Sequence, residues 1–334
     1  MALHHDAGQP PTPDDDAAAV VTLQPVDRTT PAVRPWRRRL VPLLIVLAVG
    51  LSAAIPALVT FRNRADHADP VASSQPVAPS LTSGSPPAST HDALTRLAGS
   101  IVATPDDSAT GYTYHHQRLW SITTTGSPAP AGMRENTPAV FADDFRRWEA
   151  ADGSGLGIDV ENPPDYTFKA ADPNYRTTDD EFAHGHTTRT TYAAGNARSP
   201  ISGPIATEPA ALARQLAAFD PMPDGPQATL RAVDELYTSH YVPLPARQAV
   251  LRVLADLDGL SYHPVAADRL GRAGVAVSLV GRGVQYTLMF DPTDGRLLAS
   301  EQRSLGAHEY FPVPDGLVRY YRLCVEQAHR PGLG

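Results

Sequence analysis

The most distinctive hydrophobic pattern in the chain is the stretch from Leu40 to Thr60, LVPLLIVLAVGLSAAIPALVT, which contains no charged residue. A helix that is apolar on every face over roughly 20 residues matches the thickness of the hydrocarbon core of a bilayer. The stretch therefore predicts a transmembrane helix. Pro42 and Pro56 lie near its two ends, where the carbonyls freed by a proline can find other partners.

Basic residues flank this stretch unequally. The arginines near it are Arg28, Arg34, Arg37, Arg38 and Arg39 before it, and Arg62 and Arg64 after it. Because positive charge accumulates on the cytoplasmic side of a membrane, we expect the N-terminus in the cytoplasm and the C-terminal part outside. A secretory signal peptide shares this pattern of basic residues before an apolar run. The 39 residues before the run are long for a signal peptide, the run itself is long, and no clear Ala-x-Ala site follows, so an uncleaved single-pass anchor is favoured.

The segments around the predicted span differ in composition. Residues 1–39 are rich in Pro, Asp, Ala and Thr, which predicts a disordered cytoplasmic tail. Residues 61–90 form a Pro/Ser-rich segment that predicts an extended stalk. Residues 91–313 are enough for one folded extracytoplasmic domain, and we assign residues 314–334 to a C-terminal extension.

Apolar side chains at helical spacing predict four helices in this domain, over 91–101, 209–219, 227–239 and 245–258. Thr90 is the expected N-cap of the first, and Gly259 follows the last as its C-terminal cap. Alternating runs predict strands at 111–122, within 145–160 around an Asp152–Gly155 turn, at 181–192, and at 274–280, 284–290 and 297–302. The fold class expected is α+β, an antiparallel sheet with one helical layer against it.

Composition excludes several classes of function. The formal net charge is −8 and the pI is near 5.8, which argues against a nucleic-acid or anionic-lipid surface in the exported part, where no basic cluster is present. Cys324 is the sole cysteine, which rules out an intrachain disulfide, a CxxC redox pair and a cysteine-rich zinc cluster. We expect no metal site and no cofactor.

Histidines and acidic pairs are the candidates for chemistry. His184 and His186 offer two imidazoles on one side of a strand, but a structural metal site needs four ligands. His115 and His116 point to opposite faces of theirs, so they cannot act together. The runs Asp143-Asp144 and Asp179-Asp180-Glu181 lie in segments where neighbouring acids are usually solvated.

No catalytic residue is predicted. Ser154 lies in Asp-Gly-Ser-Gly, which lacks the full Gly-x-Ser-x-Gly elbow, and no base pairs with it. Aromatic side chains on the predicted strands are candidates for a ligand cavity, or else they belong to the core. These are Tyr112, Tyr114, Trp120 and Trp148.

The order of these features resembles an actinobacterial family of single-pass membrane proteins, of uncharacterised function, that are encoded beside extracytoplasmic-function sigma factors. The matching motifs are the arginine-flanked span, Gly-Tyr-Thr-Tyr at 111–114, Arg147-Trp148 before Asp152–Gly155, Leu-Pro-Ala-Arg at 244–247, and Tyr286–Pro292 followed by Asp294–Leu298. The resemblance implies a sensory or regulatory partner in envelope signalling, with a protein of the sigma-factor system as a possible partner. The tail lacks the His and paired Cys of zinc-containing anti-sigma domains, so direct sequestration of a sigma factor is not implied.

More distantly, the layout is similar to the lipoprotein-carrier and envelope-stress-regulator fold, a strongly curved, half-barrel sheet wrapped on helices. That similarity implies a concave apolar cavity for an acyl chain or a hydrophobic peptide. The sequence therefore predicts a non-enzymatic, membrane-anchored sensory or regulatory domain. The alternatives are a membrane-tethered lipid or lipoprotein carrier and an exported hydrolase, and the hydrolase lacks a recognisable nucleophile.

Overall fold

The computed structural model describes residues 20–22, 89–124, 137–195, 201, 203–219, 225–306 and 314–333, all within one compact unit. The predicted span, the stalk up to residue 88 and nearly all of the predicted tail lie outside these residues. Among the residues described, no helix is long and apolar enough to cross a membrane.

Four α-helices form where the apolar spacing predicts them. They are α1 (Thr90–Ser100), α2 (Pro209–Phe219), α3 (Pro226–Ser239) and α4 (Leu244–Ala255). The cap of α1 differs from the prediction by one residue, because the side chain of Ser89 accepts the hydrogen bond from the backbone N–H of Asp92. Helix α4 ends before Gly259, which nevertheless has the positive φ of +78° expected of a glycine at a chain reversal.

The strands join in one sheet. In chain order they are β1 (Val20–Thr22), β2 (Tyr112–Thr124), β3 (Pro138–Glu149), β4 (Gly155–Glu161), β5 (His186–Tyr192), β6 (Ser261–Ala267), β7 (Ala273–Gly281), β8 (Val284–Phe290), β9 (Leu297–Ser304) and β10 (Val318–Arg330). Their order across the sheet is β1-β5-β4-β3-β2-β10-β9-β8-β7-β6. Strands β2 to β10 pair antiparallel, whereas β1 lies parallel to β5. The α+β class with an antiparallel sheet is confirmed.

The two faces of this sheet carry different layers. On one side, here called the helix face, buried side chains of β7 and β8 such as Val277 and Leu288 form one core with α1–α4. On the other side, the loop face, Trp120 and Tyr321 pack with Ala170, Ala171 and Phe182 from the connection between β4 and β5. The helices contact β6 to β9 most, so the helix face over β2 to β5 is where the sheet presents a groove.

Strand β10 extends the domain past its predicted boundary. The segment that we assigned to a C-terminal extension lies in the sheet between β2 and β9, where Tyr321 pairs with Trp120 on one side and with Glu301 on the other. Both faces of β10 are covered, and Leu323 is fully buried. The domain therefore continues to about Arg330, and β10 joins β2–β5 to β6–β9.

A buried ion pair fixes α4 to the chain that precedes β2. Asp107 accepts hydrogen bonds from Nη1 and Nη2 of Arg247, at 3.0 and 2.8 Å. The Arg247 side chain is 0% exposed, and its other N–H groups donate to the carbonyl oxygens of Asp294 and Val242. Burial opposes ionisation of Asp107, but the hydrogen bonds from Arg247 and from the backbone of Thr104 outweigh it and lower its pKa to about 2.

Candidate functional site

The aromatic residues predicted as cavity candidates all lie in β2 and β3, and protein groups surround the buried ones. Trp120 is 2% exposed, and its ring packs edge-on against Phe182 and Tyr321. Tyr114 and Trp148 pack on each other with ring centroids 4.7 Å apart. These contacts are those of core residues, which is the other interpretation that the sequence left open.

An arginine fills the space beside Trp120. The guanidinium of Arg269 lies 4.7 Å from the ring centroid of Trp120, 5.1 Å from that of Tyr175 and 4.1 Å from that of Tyr321. Its Nη2 donates to the carbonyl oxygen of Ala170. Burial among these rings lowers the pKa of Arg269 to about 10, so it stays charged at neutral pH.

Two acidic runs expected to be solvated have structural roles instead. Asp144 is fully buried and accepts hydrogen bonds from His116 Nε2 at 2.8 Å and Arg118 Nε at 3.0 Å. Burial alone would raise the pKa of Asp144, but these bonds lower it. Asp179 accepts from Arg118, and Glu181 accepts from the indole N–H of Trp120, so the run at 179–181 fastens the covering loop to the loop face.

The remaining sequence candidates lie apart from one another. His184 and His186 are exposed, and in the described part of the chain no group of three or more His, Cys, Asp or Glu residues is placed to hold a metal ion. Ser154 donates to the carboxylate of Asp152 within the β3–β4 turn, which confirms its turn role. His115 and His116 do point to opposite faces, because they occupy consecutive positions of β2.

A groove lies on the helix face over β2 to β5, bordered by the end of α3. Its volume is about 290 Å³, and Gln117 at its edge donates to the carbonyl oxygen of Thr238 in α3. Strand register sorts its lining into rows across the sheet. The first row contains His115, Arg147, Gly157 and Thr190, and the second contains Gln117, Phe145, Asp159 and Thr188.

Each of three groove residues has a polar atom that is shielded from solvent and has no hydrogen-bond partner. Among the described residues these atoms are His115 Nε2, Arg147 Nε and Asp159 Oδ1. Buried polar atoms are normally paired, since leaving one unpaired costs about 1–3 kcal/mol. Five further atoms of this kind lie elsewhere among the described residues, so the particular feature of the groove is that three of them, from three neighbouring strands, border one cavity.

The state of His115 follows from its neighbours. The ring is 5% exposed, and burial together with the nearby charge of Arg147 lowers its pKa to about 3, so it is neutral. Its Nδ1 lies 3.5 Å from the amide nitrogen of Gln327, whose N–H groups donate to the carbonyl oxygens of Tyr237 and His240 at 2.9 and 2.6 Å. A neutral imidazole has one N–H donor and one acceptor nitrogen, and Nε2 of His115 has no hydrogen-bond partner among the described residues.

Carboxylates lie at the other end of the groove. Asp143 stands directly opposite Glu161 on β4, and Asp159 lies two positions along the same face of β4. Burial and the neighbouring carboxylates of Asp159 and Glu161 raise the pKa of Asp143 to about 6. Burial, with Glu161 and Asp144, raises the pKa of Asp159 to about 6 as well. A cation placed here would relieve this repulsion.

Arg147 supplies the positive charge of the groove. Its Nη2 forms an ion pair of 2.9 Å with Glu149, and its guanidinium lies 5.4 Å from the ring centroid of Tyr192. The Tyr192 side chain occupies the space above Gly157, where a Cβ would meet its hydroxyl at 2.8 Å. Gly157 thus allows an aromatic wall to lie close to the floor of the groove.

Sequence analysis missed Arg147, Asp159 and the threonines of β5 as site residues. One signal for the first two was present, because the predicted Asp152–Gly155 turn fixes the hairpin register and places Arg147 opposite Gly157, next to Asp159. No protein-family model matches the chain. No curated protein shows significant similarity to it either.

Proposed function

We propose that this protein is a single-pass membrane protein whose extracytoplasmic α+β domain is a non-enzymatic sensory or regulatory module of envelope signalling. The observation that supports ligand sensing is the groove, with unpaired polar atoms of His115, Arg147 and Asp159 around one cavity. The membrane anchor rests on the uncharged stretch at 40–60 and the arginines before it. Signalling through a protein partner of the sigma-factor system belongs to the same proposal.

The alternative is a membrane-tethered carrier for a lipid or lipoprotein. It requires a concave, half-barrel sheet with an apolar cavity lined by the strand aromatics. Trp120 and Trp148 are instead buried against protein side chains. The groove on the helix face mixes charged and hydroxyl groups with the apolar groups of Phe145, Ile158 and Tyr192. Ligand pockets for acyl chains are predominantly apolar, so this geometry favours the sensory function.

The proposed topology has a consequence for β5. Residues 20–22 of an inserted chain lie on the cytoplasmic side, while β5 belongs to the external domain, so the parallel pairing of β1 with β5 cannot exist in that state. The outer edge of β5 is then open to another strand. The proposed membrane topology and the β1–β5 pairing therefore cannot occur in the same molecule, and a measurement of the topology decides between them.

Cysteine labelling of the full-length chain in intact cells tests the proposal. Cys324 is buried and serves as an internal control that stays unlabelled. Of two variants, Ser83→Cys is expected to react with a membrane-impermeant maleimide from outside and Gly8→Cys only after the cells are opened. Labelling of both positions from outside would refute the anchored topology. Recovery of the chain in the soluble fraction instead of the membrane fraction would also refute it.

A sensory role also predicts that Ser154→Ala, His184→Ala and His186→Ala leave every biological readout unchanged, because these residues lie outside the groove. A loss of function in one of these variants, with folding retained, would contradict the non-enzymatic assignment. Arg147→Gln is the matched positive control, since it removes a charge from the groove while keeping a long polar side chain.

A further inference from the structure

The groove combines hydrogen-bond donors and carboxylates in a defined order. In its first row, the imidazole of His115, the guanidinium of Arg147 and the hydroxyl of Thr190 line the groove on both sides of Gly157, which is covered by Tyr192. In the second row, Asp159 stands between Phe145 and Thr188. The positively charged Arg147 and the negatively charged Asp159 therefore lie in adjacent rows, two residues apart along the strand direction.

The spacing between these groups fits a small zwitterion. Arg147 and Asp159 are diagonal neighbours across β3 and β4, because Arg147 pairs with Gly157 and Phe145 pairs with Asp159. The Cα atoms of diagonal residues on one face of a sheet lie about 7–8 Å apart, so both side chains border the same small cavity. An α-amino acid spans roughly 8 Å from the group that binds its carboxylate to the group that binds its ammonium, with a charge-assisted hydrogen bond at each end.

We infer that the groove binds a free α-amino acid, with its carboxylate at Arg147 and His115 and its ammonium at Asp159. This ligand class rests on the proposed sensory function of the domain. In the tautomer that carries the proton on Nε2, His115 donates to the carboxylate, and Asp143 and Glu161 add negative potential on the ammonium side. A cavity of about 290 Å³ has room for one amino acid with a side chain toward Phe145 and Thr188.

The chemistry of the two ends separates this ligand from others. A fatty acid lacks the ammonium and leaves Oδ1 of Asp159 without a partner. A polyamine lacks the carboxylate and leaves Nε of Arg147 and Nε2 of His115 without partners. Buried polar groups left without partners are costly, which is how a site rejects analogues that lack one group. N-acetylation of the amino acid removes its ammonium charge, whereas amidation removes its carboxylate charge.

Calorimetric titration and thermal-shift measurements on the full-length chain in detergent test the inference with a panel of free L-amino acids. We expect at least one to bind, and both its N-acetyl and its amide derivatives to bind at least about tenfold more weakly. Asp159→Asn and Arg147→Gln are expected to weaken binding to a similar extent. Asp180→Asn and Arg189→Gln are the charge-matched controls, because both residues are exposed and outside the groove, and they should retain wild-type affinity.

Three results would overturn the inference: no free amino acid binding more tightly than about 10 mM, equal binding of the N-acetyl or amide derivatives, or unchanged affinity in Arg147→Gln. The derivatives use the wild-type chain, so the test stands even where a variant fails to fold. The topology measurement is independent of these titrations. If the chain has the proposed topology but binds no amino acid, only the ligand class is refuted. If the chain binds an amino acid but is not inserted in the membrane, only the anchored function is refuted.

Discussion

Replacing Asp107 by Asn is expected to destabilise the domain strongly, because Arg247 depends on that carboxylate. The substitution keeps the size of the side chain, but its single amide oxygen can accept from only one of the two backbone N–H groups, of Thr104 and Leu244, that donate to different oxygens of Asp107. It removes the negative charge that faces Nη1 and Nη2 of Arg247, whose side chain is 0% exposed. The variant therefore leaves a buried guanidinium without a counter-charge.

Two routes give the magnitude. The lowering of the Asp107 pKa from 3.8 to about 2 corresponds to about 2 kcal/mol of stability at neutral pH, at 1.36 kcal/mol per pKa unit. Removing one partner of a buried ion pair typically costs about 3–5 kcal/mol. Because Asn keeps the shape of the side chain and one of the two backbone hydrogen bonds, we expect a loss at the lower end of this range, about 3 kcal/mol. For a domain of this size the midpoint of thermal unfolding should fall by about 6–12 °C.

Urea unfolding and calorimetry at neutral pH measure this loss, with Asp258→Asn, at an exposed position beyond α4, as the control. Because folding lowers the pKa of Asp107, its contribution is fully present above the unfolded value of about 3.8 and is lost as the pH falls through about 2. The difference between wild type and Asp107→Asn should narrow over that interval. A loss under about 1 kcal/mol at neutral pH, or a difference that does not narrow in acid, would refute the reasoning.

Three other measurements address different parts of the domain. Asp143→Asn should raise the free energy of unfolding at pH 7.5 by about 1 kcal/mol, because folding raises the pKa of this carboxyl to about 6. The gain in stability should vanish near pH 4, and a destabilised variant would contradict the repulsion of Asp143 by Asp159 and Glu161. Gly155→Ala should abolish folding, since a Cβ would lie 1.9 Å from the carbonyl oxygen of Trp148, whereas Gly99→Ala, in open space on α1, should stabilise by about 0.5–1 kcal/mol in thermal unfolding. Burial raises the pKa of Cys324 to about 12, so its thiol should react with maleimide only at the rate of unfolding, and rapid labelling of folded protein would show that β10 opens.

The helices and strand β8 were predictable because their buried positions repeat with the period of the element. In α3 and α4 the buried positions repeat at helical spacing, and in β8 Val284, Leu288 and Phe290 are buried on one side. Such elements keep their periodicity in the sequence. Strand β10 does not, because both of its faces are covered and a register shift between Cys324 and Glu326 changes the phase of its side chains.

Buried charges account for the rest of what sequence analysis missed. In the sequence Arg322 has the character of a surface residue, but in the structure its Nη1 lies 3.2 Å from the carboxylate of Asp234 in α3. Asp144 looks solvated until His116 and Arg118 of the neighbouring strand contact it. Single residues do not reveal such partners, since the pairing depends on register between distant segments. The groove has the same origin, because its lining comes from four strands and α3.

The position of β10 at the junction of the sheet affects how the protein is made. Tyr321 pairs with Trp120, so the contact that joins the two parts of the sheet closes a very long loop and forms only when the last strand is available. Until then β2 and β9 expose unpaired edges that can associate with other chains. A nascent or truncated chain that ends at residue 313 therefore cannot complete the sheet, and proteases and chaperones can distinguish it from a finished molecule by those edges.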